Sequence, residues 1–407
     1  MAETRPTKAA MSATARRTAL FGAMFLMATS AIGPGFITQT TVFTVQLGAA
    51  FAFAILVSTL IDIAVQLNVW RVIGVSGMRA QELGNSVLPG LGWFLAALVF
   101  IGGVVFNIGN IAGAGLGANA MLGLSPKIGG ILSAVIAILI FSSNKAGVAL
   151  DRIVVALGAI MILLMIYVAI VAAPPVGEAL KNTVWPEQID WLIITTLVGG
   201  TVGGYITYAG AHRMLDSGAT GLDYVHEITV NSVIGIVITG IMRVLLFLAI
   251  LGVVASGVAL TSDNMAAEAF GAAAGDIGMR VFGVVLWAAA LTSVIGAAFT
   301  SVSFITRSST SERTRNWITV VFIVFCAGIY AVLGQAPQQL LIFAGAFNGL
   351  ILPVGFGILL WVAWRRRDLL DGYDYPKWLL GIGMATWLLT LFLGASSLGG
   401  LAKLGAG

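Results

Sequence analysis

Ser30-Ala31-Ile32-Gly33-Pro34-Gly35-Phe36-Ile37-Thr38-Gln39-Thr40-Thr41 sits in the middle of an otherwise apolar run. A proline between two glycines removes an amide donor and loosens the backbone, so a helix through this stretch is predicted to break near Pro34. Gly199-Gly200-Thr201-Val202-Gly203-Gly204-Tyr205 interrupts a second apolar run in the same way. The surroundings of both runs are those of a membrane protein. The chain of 407 residues is 59% hydrophobic and only 9% charged, whereas soluble domains carry roughly a quarter charged residues. This composition excludes soluble enzymes, secreted disulfide scaffolds and nucleic-acid binders. The single Cys326 allows neither an intramolecular disulfide nor a cysteine metal cluster. Fifty-one glycines suit close helix packing and broken membrane helices.

A spanning helix needs about 20 mostly apolar residues. Working outward from the two breaks gives eleven expected spans, at 18–47, 48–69, 91–121, 127–142, 149–173, 191–210, 229–258, 279–304, 316–334, 338–363 and 377–398. The second break therefore falls five spans after the first. Charge supports this count. Sixteen of the 21 lysines and arginines fall in the N-terminal stretch and the even-numbered loops, four fall on the opposite side, and Arg243 lies within a span. The positive-inside rule then places the N-terminus in the cytoplasm and the C-terminus outside, in a cell membrane. Residues 1–17 read as a disordered cytoplasmic tail. Asp62 and Arg243 are the ionisable residues within spans and are expected to face the bundle interior or an interface. His212, Arg213, His226 and Glu227 are expected in a solvated cytoplasmic loop.

Interrupted helices in corresponding positions of two halves point to a transporter's binding site, where half-helix amides meet an anionic group. At these breaks the chain resembles the NRAMP divalent-metal transporters. The family's Asp-Pro-Gly-Asn falls on Gly33-Pro34-Gly35-Phe36, and its Gly-Ala-Thr-Val-Met-Pro-His-Asn-Leu-Tyr falls on Gly199 through Tyr208. Its Asp-x-x-Glu falls on Asn107-Ile108-Gly109-Asn110; Gly22, Gln66, Arg71, Gly77, Asn119 and Gly123 also match, and a further likeness runs from Phe282 to Ser293. The resemblance implies an all-α integral membrane protein with a LeuT-type five-plus-five inverted repeat and an eleventh helix. The repeats would cover 18–173 and 191–363, joined by an extracytoplasmic loop at 174–190, with the extra helix and C-terminus at 364–407.

The departures carry the functional expectation. The family's metal ligands, an Asp, an Asn and a Met, correspond here to Gly33, Phe36 and Gly203. Its proton-handling acidic pair and His correspond to Asn107, Asn110 and Tyr205. A divalent ion leaving water needs anionic or many oxygen ligands, and a thioether favours Mn or Fe. No metal site is therefore expected. Small residues at Gly33 and Gly203 should widen the pocket, with Phe36, Tyr205 and Phe106 as walls, and the sequence favours a small organic acid or amino-acid-like solute. Its expected site comprises Gly33, Pro34, Gly35, Phe36, Ile37, Thr38, Asn107, Asn110, Gly203, Gly204, Tyr205 and Asn348, with Gln39 a further polar neighbour. A co-transported proton or sodium is expected, with Thr292, Ser293 and Asp62 as coupling candidates. The alternatives are a divergent divalent-metal transporter (Mn, Fe or Mg) and a non-transporting sensor. No enzymatic constellation, nucleotide loop or cofactor motif is present, and a monomer in the bilayer is expected.

Overall fold

In the computed structural model, residues 13–306, 310–333 and 335–406 are described, and their regular structure is entirely helical. Helices α1 (Ala13–Ala31) and α2 (Pro34–Leu47) are the two halves of the first interrupted segment. Gly33 between them is extended (φ −93°, ψ −171°), and Pro34 opens α2, where its missing amide breaks no helical bond. Residues 1–12 of the expected tail lie outside the described residues; helix begins at Ala13. A 3-10 turn at Gly48–Ala50 leads into α3 (Phe51–Ser76).

Short α4 (Ala80–Val87) precedes α5 (Leu91–Leu122), which is followed by α6 (Pro126–Phe141) and α7 (Asn144–Ala172). After α7 the chain bends by 108° across Pro174-Pro175 into α8 (Val176–Val184), inside the expected loop. The second interrupted segment comprises α9 (Trp191–Thr201) and α10 (Ile206–Ser217). Then come α11 (Val225–Ala255), α12 (Met265–Ile305, kinked at Gly275), α13 (Glu312–Val332), α14 (Pro337–Arg365) and α15 (Lys377–Ala406). Past α14, Arg366 grips Asp368 at 2.8 Å and holds its carboxyl below the usual range.

Each of the eleven expected stretches contains helix. Among the described residues, eight continuous helical stretches are long and apolar enough to cross a membrane, or nine if α7 and α8 form one bent span. The apolar part of α1, Leu20–Ala31, and α6 are shorter than that. The centre of the bundle is α5, packed along α12, α14 and α6, with α9 and α2 against α14. Glycines permit that approach: Gly199 on α9 lies against the backbone of Gly345 and Gly349 on α14.

One expectation is overturned outright. His212 is not in a solvated loop. It belongs to α10, is 1% exposed, and sits 2.9 Å through Nδ1 from the Ser303 hydroxyl, against the rings of Tyr208 and Phe304. Next to it, buried Arg79 donates to the carbonyls of Ser303 and Thr306 and pairs with Asp216, which fastens α10 to the end of α12. Arg213 and His226 are exposed and Glu227 is half-buried, but they lie on α10 and the first turn of α11 and not in the expected loop.

Candidate functional site

The two breaks face a common centre. At the first, Gly33 opposes Ser293 of α12, whose hydroxyl would lie 2.7 Å from a Cβ placed on Gly33. Pro34 packs onto Gly113 of α5, and Gly35, Phe36, Ile37 and Thr38 are all buried in the first turn of α2, which has no side-chain cap. The Thr40 and Thr41 hydroxyls donate back to the carbonyls of Phe36 and Ile37, at 2.7 and 2.9 Å. At the second break the chain leaves helix from Val202 to Tyr205, with Gly204 left-handed at φ 54°. Asn348 of α14 fills the space beside Gly204 and donates to the carbonyls of Gly102 and Ala344, at 3.1 and 2.8 Å.

Phe106 of α5 reaches both breaks. Its ring stands edge-on to Tyr205, centroids 5.5 Å apart, and approaches Gly35. Tyr205 also lies beside Asn110, and Asn107 beside Cys326 of α13. Gln39 wedges between α9 and α14, where its amide donates to the Leu341 carbonyl at 3.2 Å. The expected widening of the pocket is not met. A Cβ on Gly203 would lie 2.6 Å from the Gly199 Cα and 2.8 Å from the Asn348 carbonyl oxygen, so backbone occupies the volume that a longer side chain would take.

This centre holds an unusual density of buried polar atoms with no protein hydrogen-bond partner. They include Oε1 of Gln39, Nδ2 of Asn110, the Tyr205 and Ser293 hydroxyls and Oδ1 of Asn348; both side-chain polar atoms of Asn107 are also unpartnered, but beside Cys326. Each such atom in an apolar interior costs about 1–3 kcal/mol.

The three coupling candidates are dispersed. Ser293 is at the first break. Thr292 returns its hydroxyl to the Ala289 carbonyl at 2.9 Å and lines an apolar cavity of about 380 Å3 with Ile32, Phe36, Ile37 and Met242. Asp62 of α3 lies instead with Thr201 and Arg243. Arg243 itself is a site residue that sequence reasoning did not select, although a charge within a span was a visible signal. From α11 it reaches the end of α9, with Nη1 3.2 Å from the Thr201 hydroxyl, and the start of α2, with its guanidinium 4.5 Å over the Phe36 ring.

Residues 24–399 match the family model described as natural resistance-associated macrophage protein-like. The chain belongs to the Nramp family. It is 51% identical over 380 residues to the uncharacterized membrane protein YcsG of Bacillus subtilis, covering 93% of this chain and 94% of that one. It is 24% identical over 362 residues to the divalent metal cation transporter MntH of Brucella suis, covering 83% and 78%. The Nramp fold is also evident in solved structures. A mutant of the Eremococcus coleocola manganese transporter superposes with a TM-score of 0.74 at 16% identity, over 97% of this chain and 90% of that one. MhsT in complex with L-phenylalanine superposes with a TM-score of 0.69, also at 16%, over 93% and 98%. Family and fold make the protein a multi-pass membrane transporter and set enzymatic readings aside.

Proposed function

We propose that this Nramp-family transporter carries a small organic acid or amino-acid-like solute, by alternating access about the two breaks. The observation that carries the reading is the combination at the centre. The positions aligned with the family's metal ligands are Gly33, Phe36 and Gly203, and what lies about the two breaks is unpartnered amides and hydroxyls on Asn110, Tyr205, Ser293 and Asn348. Neutral donors and acceptors suit an organic solute, whereas a divalent ion stripped of water needs anionic oxygen or thiolate. That MhsT was solved with L-phenylalanine supports the reading that this architecture accommodates a carboxylate-bearing solute.

The same proposal includes eleven spans in two inverted repeats of five plus one helix. The 43 residues of Pro34–Ser76 then count as two spans divided at Gly48, and α1 joined to α2, and α6, count as one span each. It also includes a cytoplasmic N-terminus, a monomer, and symport with a proton. Uptake into proteoliposomes tests the substrate class, with labelled small organic acids and amino acids measured beside labelled Mn. Saturable uptake of an organic solute that Mn does not inhibit is expected. Saturable Mn uptake with no organic uptake overturns the reading in favour of a divalent-metal transporter of the MntH kind.

A further inference from the structure

Arg243 is 2% exposed in the middle of α11, in a region where an unpaired charge is costly. A guanidinium offers five N–H donors in a planar fork. One nitrogen of Arg243, Nη1, donates to Thr201 at 3.2 Å, while Nε and Nη2 have no protein partner. Those two nitrogens form one edge of the plane, and that edge matches the two oxygens of a carboxylate through parallel hydrogen bonds. The face of the group is fixed by the Phe36 ring, 4.5 Å away, so the free edge has a defined orientation.

The position of this edge is equally specific. Phe36 belongs to the first turn of α2, whose uncapped N-terminus carries the positive end of the helix dipole, and Thr201 is the last residue of α9. Arg243 therefore bridges the two interrupted segments at their breaks. Asp62 lies close enough to offset its charge, yet the Oδ1 of Asp62 is also unpartnered, so the two side chains do not saturate each other. Phe36 also belongs to the wall of the nearly apolar cavity of about 380 Å3, with Ile32, Ile37, Met242 and Thr292, while Arg243 itself does not line it. A carboxylate-shaped edge and an apolar cavity thus share Phe36 as a common wall.

We infer that Arg243 is the anchor for the substrate's carboxylate, and that the substrate is a monocarboxylate with a small, mainly apolar body. The inference rests on the organic-solute reading above and adds to it the chemical group recognised and the residue that recognises it. A purely structural role, with Arg243 serving only as partner to Asp62 and Thr201, leaves the unpaired Nε and Nη2 of a buried guanidinium unexplained.

The test uses the full-length purified protein and three acids, lactate, isobutyrate and proline, each paired with its primary amide, which keeps the shape and removes the carboxylate. Thermal unfolding is followed across a titration of each compound. At least one acid is expected to raise the midpoint saturably while its amide does not. Arg243→Lys keeps the charge opposite Asp62 and loses the planar fork, and should weaken that acid by about ten- to a hundredfold. Arg243→Gln should abolish its binding. Should both variants fail to fold, the acid-versus-amide contrast in the native sequence decides alone. The inference is overturned if the amides bind as tightly as the acids, if Arg243→Lys keeps native affinity, or if none of the three acids binds. Amide or acid uptake independent of Arg243 overturns the anchor and leaves organic-solute transport standing; Mn uptake with no organic uptake overturns both.

Discussion

Substitution at Gly203 separates a break that is open to redesign from one that is closed. Ordinary contacts of a Cβ begin at 3.4 Å, and a Cβ on Gly203 would lie 2.6 Å from both the Cα and the carbonyl oxygen of Gly199 and 2.8 Å from the Asn348 carbonyl oxygen. The shortfall is roughly 0.8 Å against the α9 backbone and roughly 0.6 Å against that of α14, so no rotamer change relieves it and the unwound segment must shift relative to both helices; such overpacking costs about 3 kcal/mol. At Gly33 the close neighbour is the Ser293 hydroxyl at 2.7 Å, which a χ1 rotation moves aside, so Gly33→Ala should cost below about 1 kcal/mol. The chain's single cysteine, buried Cys326, supplies the assay. A thiol-reactive fluorophore reports its exposure as the purified protein is heated. Gly203→Ala should lower the midpoint by several degrees and Gly33→Ala by one or two. Equal midpoints for Gly203→Ala and the native protein would refute the packing argument. With the expected result, installing the family's thioether as Gly203→Met is sterically barred, and Gly33→Asp is the metal-site substitution the fold tolerates.

Three further outcomes follow from named contacts. Arg79→Met removes donors to the Ser303 and Thr306 carbonyls and the partner of Asp216, and should lower stability by about 2–4 kcal/mol in the same melting assay. Asn348→Ala leaves the carbonyls of Gly102 and Ala344 without their side-chain donor, for a loss of about 1–2 kcal/mol. Because Asn348 also lies against Gly204, this variant should in addition weaken the binding of whichever acid stabilises the native protein. Thr292→Ala removes a hydroxyl already bonded to its own helix, so it should change the melting midpoint by no more than about a degree.

The breaks were readable because their causes are local. Proline without an amide and glycine without a Cβ act on the few residues around them, so the interruption at Gly33-Pro34-Gly35 follows from the residues themselves. The second cluster was read correctly as a break but too broadly. Gly199 and Gly200 remain helical within α9 and serve close packing against α14 and Gln39, and the unwound part is Val202 to Tyr205. Nothing local separates a glycine that unwinds from one that admits a neighbour, because that depends on which helix arrives. His212 shows the same limit. Beside Arg213 it reads as a solvated loop, and its burial is decided by Ser303 and Phe304, about ninety residues away in the chain. Arg243 was visible as a charge in a span, but its meaning lies in Phe36, Asp62 and Thr201, which come from three other helices.

Charge balance at Arg243 bears on the coupling ion. Asp62 and Arg243 are each 2% exposed, and as an ionised pair they sum to zero. Adding a carboxylate to the free edge of Arg243 makes the loaded centre net negative, and an uncompensated charge at such depth costs several kcal/mol. One cation entering with the acid removes that penalty, and a proton on Asp62 does so without further ligands. Sodium would have to gather several oxygen ligands, and the two hydroxyls considered for it part company, Ser293 facing Gly33 and Thr292 lining the apolar cavity. Uptake of the best-binding acid into proteoliposomes should therefore be driven by an inward acid gradient and be indifferent to sodium. It should also be insensitive to a potassium diffusion potential, because acid and proton cross as a neutral pair. Asp62→Asn makes the carboxylate position permanently neutral, so the loaded centre balances with no proton, and uptake should lose its dependence on the pH gradient while binding persists. Accumulation driven by the potential, or an Asp62→Asn variant that keeps full proton dependence, would show that the charge is balanced elsewhere.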